Sequence, residues 1–378
     1  MRFSRDYYLS TRRDAWVEIN LDNLEHNVRL TRQVVPSNSK LFAVVKADAY
    51  GHGAVMCAPS LLASGVDFLG VASIDEGVQL REAKIKAPIL VLGAVPVWSI
   101  DEAAQNDITI SIFSDSHIKA CRVAYEKNGH ITKAHIKIDT GMNRIGICPD
   151  KAIDFIKKVQ QEKSIELTGI FTHFACAENI EETEKQLTKF NSVIQQIDTT
   201  NLLIHTNNSA GILNNLNNKT NMSRAGIILY GLLPDLAFKS NLSEQFKQVL
   251  SLKARITNIH TVDEDCGVSY SHTYKTKRTT KIATVPIGYA DGVSRALSNK
   301  MRASINNHEI RQIGNITMDQ MMFDITGIDA KEGDIITLLG NDGTNYLSID
   351  EWAKILNTIN YELTCRLKVR LARVYTRN

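Results

Sequence analysis

The sequence predicts an α/β protein: a (β/α)8 barrel of the TIM type followed by a C-terminal, mainly-β domain. Three observations lead there. Eight short apolar runs alternate with longer amphipathic stretches between residue 41 and about residue 230. After Pro234 the texture changes to short alternating segments separated by turn signals. No G-x-G-x-x-G follows any predicted strand, which weakens the alternative of a doubly wound sheet.

The eight runs are Leu41–Val45, Phe68–Ala72, Ile89–Leu92, Ile108–Phe113, Ala134–Ile138, Leu167–Phe171, Leu202–Ile204 and Met222–Ile228. Each is short, and Leu41–Val45, Phe68–Ala72, Ile89–Leu92 and Leu202–Ile204 are continuously apolar, as a strand covered on both faces can be. Between them lie helix-like stretches such as Ile74–Lys84, Ala152–Gln161 and Glu181–Ile197. In the first of these, Ile74, Val78 and Leu80 stand beside Asp75, Glu76, Arg81 and Glu82. The later strands are expected at Val249–Ile259, Lys281–Ile287, Arg302–Ile305, Gln312–Asn315, Met321–Ile325 and Asp334–Leu339. One helix is expected at Ser348–Leu356, where Ser348 and Glu351 match a capping box. The domains are therefore drawn at 14–240 and 241–378. Residues 1–13 form an extension expected to pack on the second domain.

The bulk properties exclude several function classes. The chain has 378 residues, 43% apolar and 22% charged, which is ordinary for a soluble two-domain protein. A net charge of +3 is too small for a nucleic-acid or membrane surface. No apolar run is long enough to span a bilayer, and Met1–Arg13 lacks the apolar core of a secretory signal. The six cysteines form no C-x-x-C pair and have no zinc spacing, so they read as reduced thiols of a cytoplasmic protein, with no metal site.

The most informative segment is Ala43-Val44-Val45-Lys46-Ala47-Asp48-Ala49-Tyr50-Gly51-His52-Gly53. A lysine at the end of a buried strand is costly unless it is paired or used. Desolvation lowers its pKa and makes it a nucleophile able to form a Schiff base. Gly51 and Gly53 would let backbone N–H groups approach an anion. A lysine beside an anion cradle suggests a phosphate-bearing aldehyde, of which pyridoxal phosphate is the usual one. The plainer reading is a snorkelling lysine before an ordinary turn.

In a barrel, the residues just after the strands converge on one face. That face would receive Lys46 from the first strand and Lys137 and Asp139 from the fifth. The sixth would add His173, the seventh His205 followed by Asn208 and Ser209, and the eighth Arg224 followed by Gly226. Singly, each has a structural reading: a packed histidine, or an arginine in a salt bridge. Their convergence favours a site.

The string around Lys46 closely resembles the cofactor-lysine motif of the alanine racemases, and the chain is similar to that family from about Trp16 to Val374. The resemblance implies an isomerase that interconverts L- and D-alanine, supplying D-alanine for peptidoglycan. It implies pyridoxal phosphate as cofactor, carried by Lys46. It places the phosphate among Tyr50, Ser209, Asn208, the backbone of Gly226 and Ile227, and Tyr361. Arg224 would face the pyridine nitrogen. A guanidinium cannot take up the ring proton, so the ring stays a moderate electron sink and proton transfer at Cα remains the main outcome. Arg144 would meet the cofactor's phenolate oxygen and the substrate carboxylate. His173 would bond behind Arg224 and the second base, and His205 would support the same ring edge. Lys137 would be carbamylated and would position Arg144.

Racemisation needs two bases on opposite faces of Cα. By resemblance these are Lys46 and Tyr270, the latter in Val268-Ser269-Tyr270. An ordinary tyrosine pKa is near 10, and His173 with Arg224 are expected to supply cations that favour its ionised form. In relatives this tyrosine reaches the active site of the neighbouring subunit, which implies a homodimer with shared sites. Tyr289, in Pro286–Gly292, would narrow the substrate channel. Met318 would meet the substrate carboxylate through its backbone N–H, with Asp319 behind it. The chain departs from the family pattern at Asn315, usually arginine, at Thr317, usually cysteine or serine, and at Leu371-Ala372. Three competing readings remain: a serine or broad-specificity racemase, a decarboxylase of related architecture, and a non-catalytic carrier of the cofactor. The decarboxylase would need an acidic partner where Arg224 stands.

Overall fold

The structure, a computed structural model, describes residues 13–214, 216, 220–235, 240–367 and 370–377. The extension expected at 1–13 lies outside the described residues except for Arg13. Two units are distinguished by their internal contacts. One comprises Leu24–Ala49 and Ala54–Lys247. The other comprises Gln248–Asn378 with Tyr50–Gly53 and the N-terminal segment through Asn23.

The N-terminal strand β1 (Ala15–Asn20) belongs to the second unit and is not one of the barrel strands. Its residues alternate buried and half-buried, the pattern of a strand covered on one face. The barrel strands have no such alternation. They are β2 (Lys40–Val44), β3 (Phe68–Val71), β4 (Ile89–Val91), β5 (Thr109–Ile112), β6 (Thr132–Lys137), β7 (Ile165–Phe171), β8 (Leu203–His205) and β9 (Met222–Ala225). They pair in parallel in sequence order, and β9 closes on β2 through pairs such as Phe42 with Arg224. All eight apolar runs thus became barrel strands. The last stops at Ala225, because Gly226 turns the chain into a 3-10 turn at Ile227–Tyr230.

Helices return between the strands with ordinary caps. Ser73 accepts from Glu76 N–H at 3.3 Å and opens helix Ile74–Glu82. Asn179 does the same for helix Ile180–Ile194, accepting from Glu182 N–H at 3.2 Å.

In the second unit, β1 lies between Leu250–Arg255, antiparallel to it, and Ala372–Thr376, parallel to it. The sheet continues from Leu250–Arg255 through Ile335–Asp342, Arg302–Ile305, His308–Ile313, Met321–Asp324 and Thr280–Val285 to Asn258–Val262. Helix Ile349–Leu356 is where the sequence places it, but the capping box is not. Ser348 Oγ accepts from Asp350 N–H at 3.1 Å, while Glu351 turns to Arg302, accepting from its Nε at 2.7 Å. A charge-assisted pair outcompeted the local cap. A further helix, Asn360–Arg366, carries Tyr361.

Candidate active site

Lys46 stands at the end of β2, half-buried, and opens an unusual turn. Ala47, Asp48, Ala49 and Tyr50 all have φ between 52° and 55°, so four consecutive non-glycine residues are left-handed. Each such residue costs about 1–2 kcal/mol, so the turn must be held by its surroundings. Glu76 does part of this: its carboxylate accepts from Ala47 N–H at 2.8 Å and from Ala72 N–H at 2.7 Å, joining the ends of β2 and β3. Asp48 accepts from Ala54 N–H at 2.8 Å and Val45 carbonyl from Ala49 N–H at 2.8 Å. The sequence marked this stretch by its lysine, tyrosine and glycines but not by its left-handed backbone, and it placed Glu76 only among the charged residues of a helix.

Inside the barrel, Arg224 is buried and makes four contacts with acceptors. It donates to the carbonyls of Thr172 and Thr206, each at 2.8 Å, to His205 Nδ1 at 2.7 Å and towards His173 Nδ1 at 3.3 Å. Burial lowers the guanidinium to about 9, which leaves it charged at neutral pH. His205 Nε2 meets His135 Nδ1 at 2.8 Å. His135 is fully buried, and burial with the Arg224 charge lowers it to about 3. It was absent from the sequence reading. The available signal was its spacing of two from Lys137 on one strand, which puts both side chains on the same face. Gly169 makes room for it: a Cβ there would stand 2.6 Å from the His135 ring.

Burial, then Arg224, holds His173 well below the ordinary histidine range, with Lys137, Arg144 and Lys46 acting the same way. His173 is therefore neutral at pH 7 and supplies no cation, contrary to the expectation that it would help ionise Tyr270. Burial and the charges of Arg144, Arg224 and Lys46, opposed by Asp139, bring Lys137 down to about 8. Its ammonium nitrogen lies 5.5 Å from the centre of the Phe171 ring. Arg144 is exposed, on a loop where Asp139 accepts from Gly141 and Asn143 N–H, each at 3.0 Å. Gln186, also missed, bonds Thr140 Oγ1 and the His173 carbonyl, each at 3.2 Å, and accepts from Ala175 N–H at 2.8 Å.

The residues assigned to the phosphate divide into two groups. Ser209 Oγ accepts from Gly226 N–H at 3.0 Å, so these two are brought together, with Ile227 starting the turn that follows. Asn208 caps helix Ser209–Leu213, its side chain accepting from Gly211 N–H at 3.0 Å. In the second unit, the rings of Tyr50 and Tyr361 lie 5.9 Å apart. Burial, then the neighbouring Tyr361 and Cys365, pushes the Tyr50 hydroxyl strongly upwards, so it is protonated. Gly51 and Gly53 both have positive φ, and the space of their missing side chains is taken by the Thr364 carbonyl and the Tyr375 hydroxyl. The close approach these glycines serve here is to protein atoms.

In the second unit Tyr270 and Tyr289 are exposed at the starts of the 3-10 turns Tyr270–His272 and Tyr289–Asp291, and Met318 is exposed on a loop. Tyr289 N–H donates to the Thr317 carbonyl and Ala290 N–H to the Met318 carbonyl, each at 3.0 Å. Among the described residues the Met318 N–H has no acceptor. Asp319 pairs with Arg370, which also reaches buried Asp291 at 2.8 Å. Arg13 donates to Asp291 at 2.6 Å.

A closed barrel with a lysine on a strained strand-end turn and with buried Lys137 and Arg224 in its interior defines a barrel protein with a cationic site. The alanine racemase N-terminal domain family matches residues 19–234, and the alanine racemase C-terminal domain family matches residues 249–375. An alanine racemase of Methanococcus maripaludis is 40% identical, the match covering 95% of this chain and 98% of that protein. Alanine racemase 1 of Oceanobacillus iheyensis is 41% identical over 96% and 98%. The solved alanine racemase of Clostridium difficile 630 superposes with a TM-score of 0.90 at 37% identity, covering 97% of this chain and 96% of that one. That of Bacillus anthracis, with bound L-Ala-P, gives 0.88 at 36%, covering 97% and 96%. The chain belongs to the alanine racemase family, and is an amino-acid racemase of the isomerase class.

Proposed function

We propose that this racemase interconverts L- and D-alanine with pyridoxal phosphate, as a cytosolic homodimer, and supplies D-alanine for peptidoglycan. One observation supports the cofactor: Lys46 stands on a strained strand-end turn of a barrel that also buries Lys137 and Arg224, with Arg144 on the loop after β6. Such a set of cations calls for anions, and a phosphorylated aldehyde with an amino-acid carboxylate provides them. The residues therefore fit the group. Lys46 would hold it, Ser209, Gly226 and Ile227 with Tyr50 and Tyr361 would take the phosphate, and Arg224 would face its ring nitrogen. When bound, the cofactor supplies an electron sink for the pair left at Cα.

This chain's residues then divide the work. Lys46 exchanges the Cα proton on the D-alanine face and Tyr270 on the L-alanine face. Arg144 and the Met318 N–H hold the substrate carboxylate, with Asp319 supporting the Met318 loop through Arg370. Tyr289 narrows the channel and favours a small side chain. A lowered pKa leaves a fraction of Lys137 as neutral amine at pH 7. That amine can attack CO2, forming an N–C bond and releasing a proton. The resulting carbamate is anionic, so Arg144 and Arg224 would favour it where they oppose the ammonium.

The test is racemisation of L-alanine in D2O, read by chiral chromatography and Cα-deuterium content, with L-serine in parallel. A yellow protein that racemises alanine, and loses both colour and activity in Lys46→Ala, supports the reading. A yellow protein that racemises neither amino acid would overturn it and direct attention to released CO2.

A further inference from the structure

Tyr270 sits on backbone that it could not hold unaided. Ser269 has φ 64° and ψ −171°, a region populated almost only by glycine. Ser271 follows at φ 60° and His272 at φ 43°. Three non-glycine residues in positive φ around one exposed tyrosine mean that neighbouring atoms dictate the path.

Those atoms belong chiefly to one residue. Asn315 Nδ2 donates to the Tyr270 carbonyl at 2.7 Å. Ser269 Oγ donates to the Asn315 carbonyl at 2.7 Å. The two hydrogen bonds run in opposite directions and close a ring around the Ser269–Tyr270 peptide. A carbonyl can only accept, so the orientation of the Asn315 amide is fixed. Asn315 is buried, whereas Tyr270 exposes 71% of its surface within the chain. The holding residue is therefore enclosed while the held side chain projects.

The support is itself supported. Gly314, at φ 75°, lies so close that a Cβ would stand 2.7 Å from the Val268 carbonyl. Its N–H donates to Asn299 Oδ1 at 2.6 Å, and Ile316 N–H donates to Ser298 Oγ at 2.9 Å. Asn315 is thus gripped on both sides. Its carboxamide is the group in this array that reaches the tyrosine's own backbone.

We propose that Asn315 is the positioning residue of Tyr270: its side-chain amide, with Ser269 Oγ, clasps the tyrosine's peptide and sets where the phenol oxygen stands. The inference rests on the reading of Tyr270 as the base of the L-alanine face. Because that base serves one face, loss of the clasp acts in one direction, which a general loss of structure would not do.

The experiment uses holoenzyme and compares initial Cα-deuterium uptake in D2O from L-alanine and from D-alanine. Asn315→Asp keeps the shape, removes the donor and sets an acceptor against the Tyr270 carbonyl. Uptake from L-alanine is expected to fall about tenfold or more relative to uptake from D-alanine, equivalent to ~1.4 kcal/mol at the transition state. The cofactor absorbance should stay near wild type. Ser269→Ala removes the other hydrogen bond and gives the same one-sided signature, so it carries the test if Asn315→Asp does not fold. Asn315→Gln, which keeps a donor, restores part of the L-alanine rate. Equal loss from both enantiomers, or no change from either, overturns the clasp if Tyr270→Phe in the same assay still abolishes uptake from L-alanine. Uptake from L-alanine that survives in Tyr270→Phe overturns the reading of the tyrosine itself.

Discussion

Arg224 donates to His205 Nδ1 at 2.7 Å, and that contact sets the protonation of the barrel interior. A guanidinium has no acceptor, so His205 Nδ1 must be bare and its proton must sit on Nε2. That proton is donated to His135 Nδ1 at 2.8 Å, which places the proton of His135 on its own Nε2. Nitrogen NMR of the holoenzyme should show both rings as neutral Nε2–H tautomers between about pH 5 and 8. An imidazolium signal from either ring in that range contradicts the chain of bonds.

The same burial gives the stability a sign with pH. His135, His173 and His205 all titrate below the ordinary histidine value, so from pH 6.5 downwards the unfolded chain binds more protons than the folded one. Stability should fall as pH falls through this window, by up to about 1.4 kcal/mol per pH unit for each proton. His135→Leu should make the slope shallower while costing about 1–3 kcal/mol at pH 7, because it leaves the His205 donor without an acceptor. Urea titrations at several pH values check both. A steeper slope in the variant would count against the assignment.

Lys137 should take up CO2 reversibly. With the amine at about 8, occupancy should rise with bicarbonate and with pH through that value. Carbon NMR with labelled bicarbonate should show a carbamate signal that is missing in Lys137→Ala. An unmodified amine at high bicarbonate would sink the proposal.

The left-handed turn after Lys46 should tolerate no side chain at its glycine. Gly51→Ala would drive a Cβ into the Thr364 carbonyl at a residue whose φ is +84°. A loss of about 2 kcal/mol or more is expected in chemical denaturation, from the clash and the conformation together. A midpoint equal to wild type would show that the turn relaxes at little cost.

The barrel was legible because parallel strands covered on both faces leave near-continuous apolar runs, as Phe68–Val71 and Ile89–Val91 do. The placement of Ala15–Asn20 was not legible, because an alternating strand does not say which sheet it joins. The left-handed run Ala47–Tyr50 was hidden for a different reason: no local preference of alanine or tyrosine favours it, and contacts such as Glu76 to Ala47 impose it. His173 was found but given the wrong charge, since burial among cations depends on the tertiary fold. The Ser269–Asn315 clasp joins residues far apart in sequence, and neither type marks the other.

The most direct test of two bases on opposite faces is Cα-deuterium uptake by Tyr270→Phe. The account predicts that uptake from L-alanine disappears while uptake from D-alanine, which depends on Lys46, continues without racemisation. Equal loss from both enantiomers, or racemisation that persists, would contradict it.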